Sequence, residues 1–370
     1  MRRWATPVYT VVLIAIAVTA WGVLREAQSA VLESQSGSVS SVENDPTAPG
    51  FRAFTEPTPT GLVLHTRISS RGGAELAGAT VLLSAGDVGG GTIVSVPAAF
   101  GLEAPLGETF ETEGFVPVLN ELKEVFGIGF GEVVVLDSGS WTALMAKDLP
   151  LPMTLRTDLV AADGQLLVAA GTRDFSLEEV AVIASHQNAG DVSLTVSQRL
   201  QDVWKAWVGR TAASPELPPE LAVDEGFLDL IATLTRNEVS YRIADFTADS
   251  SDFYRADADA LQNLVATLVP FPEPIEPGGR DTVMLLDGTG GEIEQRRVLS
   301  SVVTAGGTVS VLGNTSELVA ESVVEVHNPE SWAFAQRLAT LLDAAVVDAP
   351  SLDSPSDVTV IIGADSSDGP

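Results

Sequence analysis

Four side chains in this sequence have the charge type to handle an anion: Arg156, Arg173, Arg199 and His186. An arginine fork matches a phosphate or carboxylate in planar, bidentate geometry, and a histidine can add a pH-dependent contact. The chain, however, holds 50 acidic against 20 basic residues. The commoner fate of each arginine is then a surface ion pair, and of the histidine, solvent. Neighbouring acids such as Glu178 with Glu179, or Asp257 with Asp259, have the type for hydrolytic carboxylate pairs. At this density such pairs arise by chance, and they read as helix-start or solvated charges. There is no cysteine, and the only histidines are His65, His186 and His327. Cysteine nucleophiles, disulfides and thiolate or histidine-rich metal sites are therefore excluded together.

Two glycine-rich stretches invite a phosphate reading. Gly-Asp-Val-Gly-Gly-Gly at 86–91 lacks the lysine and the spacing of a P-loop and reads as a hairpin turn. Gly-Thr-Gly-Gly at 288–291 precedes a helical stretch, where an anion could sit at the helix N-terminus. A tight strand-to-helix turn explains it equally well, and Glu292 and Glu294 disfavour anions.

Apolar residues make up 45% of the chain, enough for closed cores, and the length suggests two folded domains. The net charge of −30 repels nucleic acid and anionic lipid. At the N-terminus Arg2 and Arg3 precede an uncharged run at 8–24, closed by Arg25 and Glu26. That is about the minimum for one membrane-spanning helix, and the leading arginines place the body outside the cytoplasm. The small residues at 27–30 also allow a cleaved signal peptide, whereas the length of the run and flanking Trp4, Tyr9 and Trp21 favour a retained single-pass anchor in the cell membrane.

Residues 34–61 are rich in Ser, Pro, Thr and Gly and read as a flexible tether. Beyond it, β-branched runs at 62–68, 80–84, 92–96, 132–136 (read as a buried strand), 166–169 and 239–246 alternate with helical spacing at 115–126, 140–147, 225–236 and 257–268. Such alternation argues for an α/β layer. Ser176 followed by Glu178 and Glu179 reads as a helix start. At 193–208 a three-four spacing puts Val196, Leu200, Val203, Trp204 and Trp207 on one face, which assigns both tryptophans to the core. Four prolines and Gly278-Gly279 at 270–280 read as a linker. The remainder gives a compact β-α-β-β-α-β order.

Within that remainder, VMLLDGTG at 283–290, TVSVLGN at 308–314, the helix at 332–342 and DVTVIIGAD at 357–365 follow one another. In this order they resemble the LytR C-terminal domain of bacterial envelope proteins, with Asp287 where asparagine is usual. Upstream, VSVP at 94–97, the stretch 127–137 and the helix 178–186 followed by Gly190-Asp191 resemble a divergent LytR-CpsA-Psr domain. Members of that family transfer glycopolymers from polyprenyl-pyrophosphate carriers to peptidoglycan. The resemblance implies an α/β fold: a mixed-sheet α/β sandwich at 62–270, a linker at 271–280 and a small α+β domain at 281–370. These would follow a cytoplasmic stub and transmembrane anchor at 1–33 and the tether at 34–61.

At the chemistry the pattern departs. The family's arginine and aspartate after "VSIP", which act on the pyrophosphate and its magnesium, fall on Ala98 and Ala99. Its paired arginines fall on Ala184 and His186, a third arginine on Leu194, and an early aspartate near Ala79. Only Arg199, beside Gln198, can stand for a later family arginine, after a small register shift. Phosphoryl chemistry depends on preorganised positive charge, which alanine does not supply. The resemblance thus implies no catalytic residue, no metal and no cofactor, with Arg199, Arg173, Arg156 and His186 as remnant ligand contacts. The expected protein is a non-catalytic binding or regulatory module in cell wall glycopolymer assembly. Its expected partners are the membrane through 8–24, cell wall glycan, a polyprenyl-linked precursor or another envelope protein. Two alternatives stay open. One is an active phosphotransferase using Mg²⁺, its site rebuilt from Arg71, Arg156, Arg173 and Arg199 around an apolar tunnel. The other is a structural tether that binds no small molecule.

Overall fold

The computed structural model describes residues 45, 46, 48–68, 72–86, 89–145, 150–212, 225–248, 253–291 and 295–368. The apolar run at 8–24, Arg71 and Lys147 lie outside them. Among the described residues no helix is long and apolar enough to cross a membrane.

In chain order the elements are β1 (Arg52–Phe54), β2 (Thr60–Ile68), β3 (Ala74–Ser84), β4 (Gly91–Pro97), β5 (Phe100–Gly101), α1 (Leu106–Glu113), α2 (Phe115–Phe126), β6 (Glu132–Leu136) and α3 (Ser138–Met145). Next come β7 (Leu151–Leu155), β8 (Leu159–Val160), β9 (Leu166–Val168), β10 (Gly171–Phe175), α4 (Leu177–Ser185), α5 (Ser193–Ala212), α6 (Glu225–Thr235), β11 (Val239–Ile243), β12 (Phe246–Ala248), β13 (Tyr254–Ala256) and α7 (Ala258–Leu268). The chain closes with β14 (Asp281–Asp287), α8 (Gln295–Ala305), β15 (Gly307–Asn314), β16 (Val323–Val326), α9 (Trp332–Leu342), β17 (Ala345–Asp348) and β18 (Val358–Ile362).

A mixed five-stranded sheet, ordered β11-β4-β3-β2-β6, forms the centre of the first unit. Strands β2, β3 and β4 are antiparallel to one another, while β11 and β6 add in parallel at the two edges. The central strands are buried on both faces, so they read as continuous apolar runs rather than alternating ones. One face packs against α3, α4, α5 and α6. The other packs against α1, α2 and α7. The result is a three-layer α/β sandwich.

The helices form where local chemistry favours them. Ser176 and Glu179 close a reciprocal capping box ahead of α4, and α2 ends at Gly127 in the left-handed conformation (φ 68°). Along α5, Trp204 and Trp207 are fully buried in the core. Burial of such a side chain contributes about 2–3 kcal/mol.

The second unit is a six-stranded sheet, β1-β15-β14-β18-β16-β17, with α8 and α9 over one cluster of Val283, Leu285, Val324, Val358 and Val360. Two of its strands were not expected from sequence. Strand β17 is nearly all exposed or half-buried and carries no apolar period strong enough to read. Strand β1 lies within the stretch read as tether, yet it pairs antiparallel with β15. Its stabilisation comes from backbone hydrogen bonds rather than burial, for Phe54 is 83% exposed, and composition cannot report that.

Other boundaries also differ. Strand β6 is an edge strand, half-buried rather than buried. The 239–246 stretch splits into β11 and β12, which belong to different sheets, and helix α1 was not anticipated. The proline-rich segment after α7 is tied down: Thr58 N–H donates to the Phe271 carbonyl (2.8 Å) and Gly129 N–H to the Glu273 carbonyl (2.8 Å).

Candidate functional site

Strand β4 delivers Ala98 and Ala99 to the turn before β5, and three elements hold that turn. Ala99 N–H donates to Ser193 Oγ at the start of α5 (3.0 Å). Gly107 N–H of α1 donates to the Ala98 carbonyl (2.8 Å), and Tyr254 N–H of β13 donates to the Ala99 carbonyl (2.9 Å). The Ala98 and Ala99 side chains, with Leu194 beside Ser193, pack against the apolar cluster that holds Phe100, Leu106 and Val118. Ala79, on the neighbouring strand, is 2% exposed in the same cluster. Ala184, on α4, is 1% exposed in the cluster on the opposite face of the sheet. Five of the six changed positions where the resembling family carries charge are therefore apolar and packed, and the sixth, His186, is half-buried and polar.

Beneath residues 94–97 both sheet faces are filled. Val94 and Val96 face the α1, α2 and α7 side. On the other side three indoles meet: Trp204 lies edge-on to Trp141 (5.3 Å between centroids) and beside Trp207 (5.4 Å). Set among them is His65, stacked on Trp141 at 5.4 Å and 2.7 Å from Thr80 Oγ1. Its strand places it on the same face as Val63 by simple alternation, but nothing in the sequence marked it as an internal polar group. Burial depresses its pKa to about 3, so it is neutral. Among the described residues His65 Nδ1, Trp141 Nε1, Ser95 Oγ and Ser197 Oγ are buried without a hydrogen-bond partner.

The four residues singled out from sequence fare differently. Arg199, on α5, is 5% exposed. It donates from Nη1 to Asp191 Oδ2 (2.8 Å) and from Nη2 to the His186 carbonyl, so it stitches the 186–191 loop to α5. Its Nε is buried without a partner. Arg156 lies 3.1 Å from Asp202 and shares with Arg199 a small cavity of about 130 Å³, also lined by Thr157 and Gln198. Burial raises the pKa of Asp202, and Arg156 opposes that shift. Arg173 is turned to α4, where it makes a bidentate pair with Glu179 (2.5 and 2.9 Å) and lies over the Phe175 ring. That pair, with the Ser176 N–H, holds the Glu179 carboxyl near pKa 2. The His186 ring nitrogen Nε2 lies 2.8 Å from the Val160 carbonyl, and the ring lines an open groove of about 670 Å³ with Arg67, Asp137 and Leu167. Arg156 and Arg199 thus come together, and each of the three arginines has a carboxylate partner. Among the described residues no group of three or more potential ligand side chains is arranged to hold a metal.

No protein-family model matches the chain, and no curated protein matches its sequence. Several solved structures are similar to it. A protein from Eubacterium siraeum described as a transcription regulator is 12% identical, with a TM-score of 0.46 over 61% of this chain and 96% of that one. TagT of B. subtilis is 14% identical, with a TM-score of 0.44 over 61% of this chain and 94% of that one. The LytR-CPS2A-psr family protein YwtF (TagT), solved with octaprenyl pyrophosphate lipid bound, is 14% identical, with a TM-score of 0.43 over 60% and 90%. Proteins of the family that the motifs resemble are thus among the solved structures similar to this chain.

Proposed function

We propose that this chain is a non-catalytic module of the bacterial cell envelope, built as a LytR-CpsA-Psr-like domain at 62–270 joined through 271–280 to a LytR C-terminal-like domain at 281–370. Residues 8–24 anchor it in the membrane, and a tether from 34 carries the body outside. The folded part of that body begins by Arg52, within the β1 strand. In this reading the protein binds cell wall glycan, a lipid-linked precursor or another envelope protein, and does not itself transfer glycopolymer.

One observation carries the reading. Ala79, Ala98, Ala99, Ala184 and Leu194 all pack into hydrophobic clusters. A pyrophosphate placed there would meet methyl groups instead of the cations and metal ligands that neutralise its charge. Losing one preorganised electrostatic group costs about 3 kcal/mol in a barrier, so losing several together leaves little rate. Of the four arginines that a rebuilt site would need, the three that are described, Arg199, Arg156 and Arg173, are held by Asp191, Asp202 and Glu179. The test is transfer of a lipid-linked glycan to peptidoglycan by the purified protein with Mg²⁺ present. No turnover above background is expected, and transfer at rates ordinary for the family would overturn the reading.

A further inference from the structure

Between the two units lies a cavity of about 410 Å³, lined by Gly127 at the end of α2, by Asp259, Gln262 and Asn263 on one face of α7, by Arg280 ahead of β14 and by Thr304 near the end of α8. Its volume falls in the range of small-molecule sites, which favour domain interfaces. Arg280 forms its bridge, donating from Nη2 to the Gly127 carbonyl (2.6 Å) and from Nη1 to the Gly307 carbonyl (2.8 Å). Among the described residues it makes no ion pair, and three of its five N–H groups remain for a ligand.

The other lining groups are unengaged as well. No hydrogen bond occupies the Asp259 carboxylate, the Asn263 amide or the Thr304 hydroxyl among the described residues, whereas Gln262 uses its amide N–H on the Glu124 carbonyl and keeps its oxygen. The charges cancel, one guanidinium against one carboxylate. The C-termini of α2 and α8 end at this cavity, the latter opposed by Arg337 on the Ala305 carbonyl, and the first turn of α7 brings a helix N-terminus, so the helix ends balance as the side chains do. An anionic ligand would face Asp259, and a cationic ligand would face Arg280. A ligand of neutral hydroxyls meets neither difficulty, because each hydroxyl both donates and accepts. Adjacent hydroxyls of a sugar ring suit planar carboxylate, amide and guanidinium groups, each of which presents two parallel polar atoms.

We infer that this interdomain cavity binds an uncharged saccharide, held by Asp259, Asn263, Arg280 and Thr304. The inference rests on the reading above only in that an envelope module meets glycans.

Calorimetric titration of the full chain in detergent with chitotetraose and cellotetraose, both uncharged, and with an acidic hyaluronan tetrasaccharide tests it. At least one uncharged sugar binds, with an affinity that is the same at low and high salt, and better than the acidic one. Asn263→Ala with Thr304→Ala, both at exposed positions, weakens that binding about tenfold, as expected for two lost hydrogen bonds. Failure of both uncharged sugars to bind, preference for hyaluronan, or binding indifferent to the double substitution would each overturn the inference. A chain that neither transfers glycopolymer nor binds these sugars keeps the non-catalytic reading and loses the cavity. A chain that transfers glycopolymer and binds sugar through these residues does the opposite.

Discussion

The two units treat their polar motif residues in opposite ways. In the first, Ala79 and Ala184 are buried in the core, Ala98, Ala99 and Leu194 are half-buried against it, and only His186 and Arg199 are polar among the positions aligned with charged family residues. In the second, the motif carboxylates Asp357 and Asp365 are present, and both they and Asp287, which stands in place of an asparagine, tie backbone. Asp287 accepts from the N–H and hydroxyl of Thr289 (both 2.7 Å). Asp357 accepts from the N–H and hydroxyl of Thr282 (2.9 and 2.7 Å) and from Asn328 Nδ2 (3.0 Å). Asp365 accepts from the N–H and hydroxyl of Ser322. Those bonds hold Asp357 and Asp365 below the ordinary carboxylate range, against the opposing effect of burial. In the second unit the carboxylates hold turns and strand ends, whereas in the first the alanines and the leucine only pack.

That contrast can be broken most forcefully by returning a charge to the first unit. Ala184→Arg puts a guanidinium where 1% of the residue is exposed. We expect a loss of about 4 kcal/mol or more in chemical denaturation, from overpacking and an unpaired buried charge. A tolerated arginine with little loss would mean that the site can still open to solvent.

Truncating the indole cluster comes next. Trp204→Ala should lower stability by about 3–5 kcal/mol, because the cavity it leaves is walled by Trp141 and Trp207. A loss under about 1 kcal/mol would show that the space beneath β4 is loosely filled.

In the second unit, Asp357→Ala leaves three half-buried donors without their acceptor, and a loss of about 2 kcal/mol is expected. Thermal unfolding of the variant should show it, and an unchanged midpoint would mean that these hydrogen bonds do not hold the second unit together.

His65 supplies a pH test. Its folded pKa, about 3, lies below the unfolded value near 6.5. The unfolded state therefore binds more protons between those values, and stability falls as pH drops below about 6.5. From pH 7 to pH 5 this amounts to about 2 kcal/mol. His65→Gln should flatten that part of the stability curve relative to the parent, and parallel curves would assign the pH dependence to other groups.

The smallest effect is expected at Arg173. Its pair with Glu179 is exposed to solvent and screened, so Arg173→Ala should shift the unfolding midpoint too little to separate from the parent at physiological salt.

Much of this architecture was legible in the residues. Helical spacing gave α2, α7 and α9 nearly to their ends and α5 short of its last turn, which runs on to Ala212, and continuous β-branched runs gave the central strands, because both periods are set by core burial along a single element. Ser176 with Glu179 marked a helix start because a capping box is local. Strands β1 and β17 were not legible, since edge pairing depends on backbone groups of a distant strand. Nor was the fate of the arginines. Sequence places Arg199 eight residues from Asp191, but only the fold closes that pair and adds the His186 carbonyl.

What the chain's own residues decided was the absence of charge at Ala79, Ala98, Ala99, Ala184 and Leu194, because such side chains cannot neutralise an anion in any conformation. What the tertiary structure decided was where the remaining cations go and what they face. Ion pairs, packed indoles and a cavity between two units are long-range arrangements, fixed by which surfaces the core brings together.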